Sequence, residues 1–234
     1  MAGRGRAIAR GFALVAPVVT VALAGCSADR EASSAPPLGT VDVAGSVPAA
    51  PPTSANTVLD VDHVAMVGDS ITVGSEDELA AAFAEIGLPD VEINAESGRR
   101  MISDGGITSG LDGVAQVLED GAEPDLWVVA LGTNDVANYS IEEYPEVIDE
   151  LLAAIPADTP VVWVDCYVED YQDRSLAFAD TLREVLAGRG NATVVDWRSF
   201  AGEDGVLTDG VHPSDFGKVQ FARRVTDAVH AWMT

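Results

Sequence analysis

Leu126-Trp127-Val128-Val129-Ala130-Leu131 is an uninterrupted apolar run, and Gly132-Thr133-Asn134-Asp135 closes it with turn-forming residues. Such a run reads as a strand buried on both faces, as in a parallel sheet with helices packed on each side. Comparable runs flank it. Val64-Ala65-Met66-Val67 and Val91-Glu92-Ile93-Asn94 precede it; Val161-Val162-Trp163-Val164 and Thr193-Val194-Val195-Asp196 follow. Helical patterns lie between. One has Ser75 and Glu78 at capping-box spacing and runs through Leu79, Phe83 and Ile86 to Gly87. A weaker one covers Ile107 to Leu118, and Ser140 with Glu143 opens another to about Ala154. The next passes Leu176, Ala179, Leu182 and Leu186 to Gly188. The last extends from about Ser214 to Trp232, with apolar residues at Phe216, Val219, Phe221, Val225, Val229 and Trp232. Five strands alternating with helices predict an α/β fold built on a five-stranded parallel sheet.

Ligands of such sheets bind beyond the carboxyl ends of the strands. The residues able to do chemistry fall there. Ser70 follows the first strand in Gly68-Asp69-Ser70-Ile71-Thr72, Gly98 follows the second, and Asn134 the third. Asp209-Gly210-Val211-His212-Pro213 follows the fifth after a loop. A serine hydroxyl is a weak nucleophile at neutral pH and needs a base beside it, which in turn needs an orienting group. Ser70, His212 and Asp209 are the candidates for those three roles. The Gly98 N–H, the Asn134 amide and the Ser70 N–H are candidate donors to an oxyanion. Each residue alone also has a plainer reading. Ser70 suits a helix N-cap, Gly98 a turn with positive φ, Asn134 an Asx-turn, and Asp209-Gly210 an ordinary loop turn. The arrival of four segments at one sheet edge is what favours chemistry over four unrelated turns.

The first 25 residues read as an export signal. Arg4, Arg6 and Arg10 precede a short apolar stretch, Phe12 to Ala24, and Leu23-Ala24-Gly25-Cys26 resembles a bacterial lipobox. Cys26 is then the expected lipidation site, and more than one acyl chain on it would give stable anchoring. Residues 26–58, with Pro36-Pro37, Pro48 and Pro51-Pro52, read as an extended tether. Residues 59–234 are left for one catalytic domain, and the expected location is outside the cytoplasm on a bacterial membrane.

The chain carries 13 basic and 38 acidic residues, a formal net charge of −25. That balance excludes nucleic acid as a partner, because phosphate contacts need clustered Lys and Arg. With Cys26 lipidated, only Cys166 remains of the 2 cysteines, so no disulfide can form within the domain. At the end of an apolar run, Cys166 reads as a small buried hydrophobe. His63 and His230 offer no site. Neither a P-loop nor a Gly-x-Gly-x-x-Gly motif occurs, and the scattered carboxylates form no zinc or calcium pattern. No cofactor or metal is expected.

Together, Gly68-Asp69-Ser70, Gly98, Gly132-Thr133-Asn134-Asp135 and Asp209-Gly210-Val211-His212 resemble the SGNH superfamily, also called GDSL hydrolases. Its four name-giving residues match as Ser70, Gly98, Asn134 and His212. The resemblance implies a flavodoxin-like three-layer α/β/α sandwich and a Ser70–Asp209–His212 triad. It also implies an oxyanion hole from Ser70, Gly98 and Asn134, with Asp69 supporting the turn. Leu126-Trp127, Val161 to Val164 and Val194-Val195-Asp196-Trp197 are similar to SGNH domains attached to envelope-polysaccharide acyltransferases. The implied activity is a serine esterase acting on a small-molecule, lipid or glycan ester. An O-acyltransferase of envelope glycans and a non-catalytic envelope-binding lipoprotein are the alternatives. The membrane, reached through the anchor on Cys26, is the other expected partner, and a monomer is the expected state.

Overall fold

The computed structural model describes residues 58–102 and 106–234. The leader of residues 1–25, Cys26 and the tether up to residue 57 lie outside the described residues. The elements run β1 (Val64–Gly68), α1 (Ser70–Gly74), α2 (Glu76–Glu85), β2 (Glu92–Ala95), α3 (Gly110–Glu119) and β3 (Leu126–Ala130). They continue as α4 (Tyr144–Ala154), β4 (Val161–Val164), α5 (Gln172–Arg189), β5 (Ala192–Val195), α6 (Arg198–Ala201) and α7 (Asp215–Met233). The five strands form one sheet in the order β2-β1-β3-β4-β5, and every pairing is parallel. This is the flavodoxin-like order, whose switch point lies beside β1.

Alternation along the strands builds two cores. Val67, Trp127, Val129 and Trp163 face α3, α4 and α5, meeting Val114, Ile148, Leu151 and Phe178. Met66, Leu126, Val128 and Val162 face the other way, onto Leu79 and Phe83 of α2 and Phe221 and Val225 of α7. Both faces being apolar is why the three central strands read as unbroken hydrophobic runs. The edge strands β2 and β5 are only half-buried. Among the described residues no helix is long and apolar enough to cross a membrane.

Several boundaries differ from the sequence reading. The first helix begins at Ser70 itself and breaks at Gly74, giving α1 and α2 in place of one helix. Ser75 precedes α2, but its hydroxyl makes no capping bond and is buried without a partner. A true capping box closes α3 instead: Ser109 Oγ accepts from Asp112 N at 3.1 Å, and Asp112 Oδ2 accepts from Ser109 N at 2.8 Å. At Ser140 the expected contact is made, with Glu143 Oε2 accepting from Ser140 N at 2.7 Å. In α7 the buried face is Phe221, Val225 and Val229, a four-residue step, whereas Phe216 and Val219 are exposed.

The abrupt passage from β1 to α1 is what places Ser70. Asp69 caps α1, its Oδ1 accepting from Ile71 N at 3.0 Å. The Thr72 side chain folds back over Gly68 so closely that a Cβ there would lie 2.0 Å from Thr72 Oγ1 and 2.4 Å from Thr72 Cβ. Only glycine lets the strand turn this tightly into a helix. The Gly68→Ala variant should therefore be overpacked and less stable by about 1–3 kcal/mol. Urea unfolding measures this, and a midpoint equal to that of the unmodified protein would show that the turn does not depend on the contact.

Candidate active site

Ser70 stands at the first position of α1, and Asp69 takes the cap. The plainer reading of Ser70 as the cap therefore does not hold: its hydroxyl is not spent on the backbone. Ser70 Oγ lies 3.1 Å from His212 Nε2, and His212 Nδ1 lies 2.9 Å from Asp209 Oδ2. With the Nδ1–H donated to Asp209, Nε2 is left as the acceptor for the Ser70 hydroxyl; this tautomer is assigned from the contacts.

A closed loop presents the second half of this line. Leu207 and Pro213 form an antiparallel bridge. Thr208 N donates to the His212 carbonyl at 2.9 Å, and Ser214 N to the Val206 carbonyl at 2.8 Å. Ser214 then caps α7. Inside the loop, Asp209 Oδ1 accepts from Val211 N at 3.1 Å and from His212 N at 2.8 Å. These contacts, led by the His212 N–H and the His212 ring, hold the Asp209 carboxyl down at about 2. It stays ionised wherever the imidazole could act as a base. His212 and Asp209 side chains are 48% and 56% exposed, so solvent reaches the pair.

The other two sequence candidates lie in the turns after β2 and β3 and are linked through the Arg99 carbonyl. Gly98 has φ +82° in a turn closed by Arg99 N donating to the Glu96 carbonyl at 3.2 Å. That is the third position of a type II turn, where positive φ is required. Asn134 Nδ2 donates to the Arg99 carbonyl at 3.0 Å and reaches Asp69 Oδ2 at 3.5 Å. Beyond the Arg99 bond, the amide nitrogen has only this long contact for its second hydrogen. Cys26, the expected lipidation site, lies outside the described residues.

Sequence reasoning missed how deeply buried the charges that frame the site are, Asp69 of the turn among them. Asp69 is pushed up to about 6 by burial, against the opposing pull of the Ile71 N–H, Thr133 and His212. Asp135 is pushed up to about 7, mainly by burial; the Met101 N–H opposes this and Asp69 adds to it. Its Oδ1 accepts from Met101 N at 3.0 Å while Oδ2 is buried without a partner. Asp165 rises to about 6 through burial, although Arg198 N and Arg183 bond to it. Cys166 is buried, and burial drives its thiol well above the ordinary value, so it remains a neutral hydrophobe. Arg99, next to Gly98, was also unread, since nothing in the sequence marks this arginine as buried. Among the described residues no cluster of three or more His, Cys, Asp or Glu is arranged to hold a metal ion.

The sequence model of the GDSL-like lipase/acylhydrolase family matches residues 66–218, a span that contains Ser70, Gly98, Asn134, Asp209 and His212. The chain belongs to that family. No curated protein matches the sequence. Solved structures share the fold. The catalytic domain of Streptococcus pneumoniae peptidoglycan O-acetyltransferase A aligns with a TM-score of 0.55 at 21% identity, covering 74% of this chain and 93% of that one. A Clostridium thermocellum family 3 carbohydrate esterase aligns at 0.55 and 17% identity, covering 74% and 99%. A lipolytic G-D-S-L family member from Veillonella parvula aligns at 0.53 and 16%, covering 72% and 98%.

The three raised carboxyls have a consequence for stability. Each binds its proton more tightly folded than unfolded, so their contribution is fully present below about 3.8 and is lost as pH rises through about 6 to 7. The melting temperature should rise as pH is lowered from 8 to 5. Asp135→Asn should flatten the upper part of that profile, which a general reduction of negative charge would not do. Differential scanning fluorimetry across pH checks this, and parallel profiles for the two proteins would contradict it.

Proposed function

We propose that the protein is a membrane-anchored serine esterase working outside the cytoplasm, with Ser70 as nucleophile, His212 as general base and Asp209 as the group that orients the imidazole. The observation that carries this reading is the hydrogen-bonded line from Asp209 through His212 to Ser70, at 2.9 and 3.1 Å. Ser70 Oγ attacks the ester carbonyl as its proton passes to His212 Nε2. The tetrahedral oxyanion is received by the Ser70 and Gly98 N–H groups and the Asn134 amide, each donor lowering the barrier by about 3 kcal/mol. The Asp209 carboxylate stabilises the imidazolium. Collapse of the intermediate expels the alcohol, which takes the proton from His212, and an acyl-enzyme remains. A water deprotonated by the same imidazole then releases the acid.

Transfer of the acyl group to a sugar hydroxyl shares every step up to the acyl-enzyme and is the second reading. The exposure of His212 and Asp209, about half in each case, leaves the pair open to a glycan hydroxyl as well as to water. Location rests on the leader and Cys26 of the sequence. A Cys26→Ala variant should leave the membrane fraction when cells are fractionated, and retention there would contradict the lipid anchor.

Ser70→Ala and His212→Ala should each lower kcat/KM for p-nitrophenyl acetate by at least about 10³-fold with the fold retained. A fluorophosphonate probe should label the unmodified protein and not Ser70→Ala. Unchanged turnover in Ser70→Ala would remove the triad reading. Adding an O-deacetylated envelope glycan then separates the two reactions. Free acid alone means hydrolysis, and acetylated glycan means transfer.

A further inference from the structure

Arg99 is 2% exposed, in a chain with 13 basic residues in all. Arginine is almost never this deeply buried unless it is paired and hydrogen-bonded. Here all three guanidinium nitrogens donate within the protein. Nη1 donates to the Asn94 carbonyl at 2.7 Å and Asn94 Oδ1 at 2.9 Å, with the Gly68 carbonyl at 3.5 Å. Nε donates to the Thr108 carbonyl at 3.3 Å and Nη2 to Thr108 Oγ1 at 2.8 Å. Glu96 Oε2, 3.7 Å from Nη2, supplies the counter-charge. The Glu96 carboxylate also accepts from the Thr108 hydroxyl.

These acceptors belong to different parts of the chain. Gly68 ends β1, Asn94 lies in β2, and Thr108 leads into α3. Gly113 of α3 leaves the space the guanidinium occupies, since a Cβ there would sit 3.0 Å from Nη1. The main chain of the same residue completes the tie, because the Arg99 carbonyl is what Asn134 Nδ2 donates to, at 3.0 Å. One residue thus joins the ends of β1 and β2, the approach to α3 and the turn after β3. A role in gripping a substrate carboxylate or phosphate is disfavoured by the inventory: four of the five N–H groups of the fork have acceptors within the protein, and the fifth, on Nη2, faces the Glu96 carboxylate at 3.7 Å.

We propose that Arg99 is the positioning residue of the oxyanion hole: its guanidinium fixes the Gly98 turn, and its carbonyl fixes the Asn134 amide. This rests on the esterase reading. Donors stabilise an oxyanion only when held about 2.7–3.1 Å from where it forms, and a misplacement of about 1 Å can cost on the order of 10²-fold. Gly98 is exposed and sits in a turn with positive φ, so something outside the turn must hold it. The planar fork does so in a way lysine cannot reproduce, because an ammonium is a point charge without the fixed divergence of the guanidinium donors.

The test uses the full-length protein and three variants of graded severity: Thr108→Val, which removes one acceptor, Arg99→Lys and Arg99→Met. For p-nitrophenyl acetate, kcat should fall several-fold, then about 10-fold, then about 10²-fold, with KM within about twofold of the unmodified enzyme. Combining Arg99→Lys with Asn134→Ala should cost little more than Asn134→Ala alone, since both act on one hole. Amide hydrogen exchange should quicken in residues 94–102 and stay unchanged in residues 205–214. Variants that melt earlier but keep kcat, or losses that multiply with Asn134→Ala, would overturn the role. Thr108→Val and Arg99→Lys keep the test alive if Arg99→Met does not fold. An inactive unmodified enzyme would instead overturn the esterase reading and the positioning role of Arg99 with it. An active enzyme with indifferent Arg99 variants would overturn the positioning role alone.

Discussion

A carboxylate buried where a strand becomes a helix is the constraint on which the site depends. Asp69 is 1% exposed, and its Oδ1 accepts from Ile71 N at 3.0 Å while Oδ2 faces Asn134. Taking the capping position is the consequence that matters, because it leaves the Ser70 hydroxyl on the first turn of α1 with no backbone duty. Burial is unfavourable for such a group, as its raised affinity for a proton shows. The turn nonetheless holds, because Gly68 admits Thr72 against the backbone and the helix N-terminus draws negative charge.

Around that turn, two differently built segments supply the remaining parts. The loop of residues 205–214 is bridged at its neck and braced inside by the Asp209 carboxylate, with one outside tie from Glu169 N to the Gly210 carbonyl at 2.9 Å, so His212 is held mainly by neighbours in sequence. The Gly98 and Asn134 side is tied through Arg99 both to nearby Asn94 and Thr108 and to the distant Gly68 and Asn134. The base is thus a local design and the oxyanion side a tertiary one. Mutations far from the reacting atoms are therefore expected to act mainly through the Gly98–Asn134 side.

Legibility in the sequence follows the same division. Continuous apolar runs revealed β1, β3 and β4, because central strands of a covered parallel sheet have no polar face to confuse the pattern. The Asp209-Gly210-Val211-His212 spacing revealed its own hydrogen bond, since three residues in one turn determine that geometry. Ser75 and Glu78 misled because spacing alone does not say whether a serine points at its backbone, and here it is buried instead. Ser109 and Asp112 carried a valid capping signal that a weak helical pattern obscured. Phe216 and Val219 belong to the apolar pattern of the last helix, yet they are exposed, and Phe221, Val225 and Val229 define the buried step. Arg99, Asp135 and Asp165 were illegible for a further reason. A charged residue normally marks the surface, and only the folded positions of distant carbonyls and amides reveal that these three are inside.

The account stands on Ser70 forming a covalent bond to the acyl group during turnover. Mass spectrometry of the enzyme acid-quenched while it turns over p-nitrophenyl acetate tests this directly. An acetyl group on the peptide containing Ser70, absent from the same peptide of His212→Ala, is the result expected. Steady turnover with no acetylated peptide, or with the acetyl group on another residue, would contradict it.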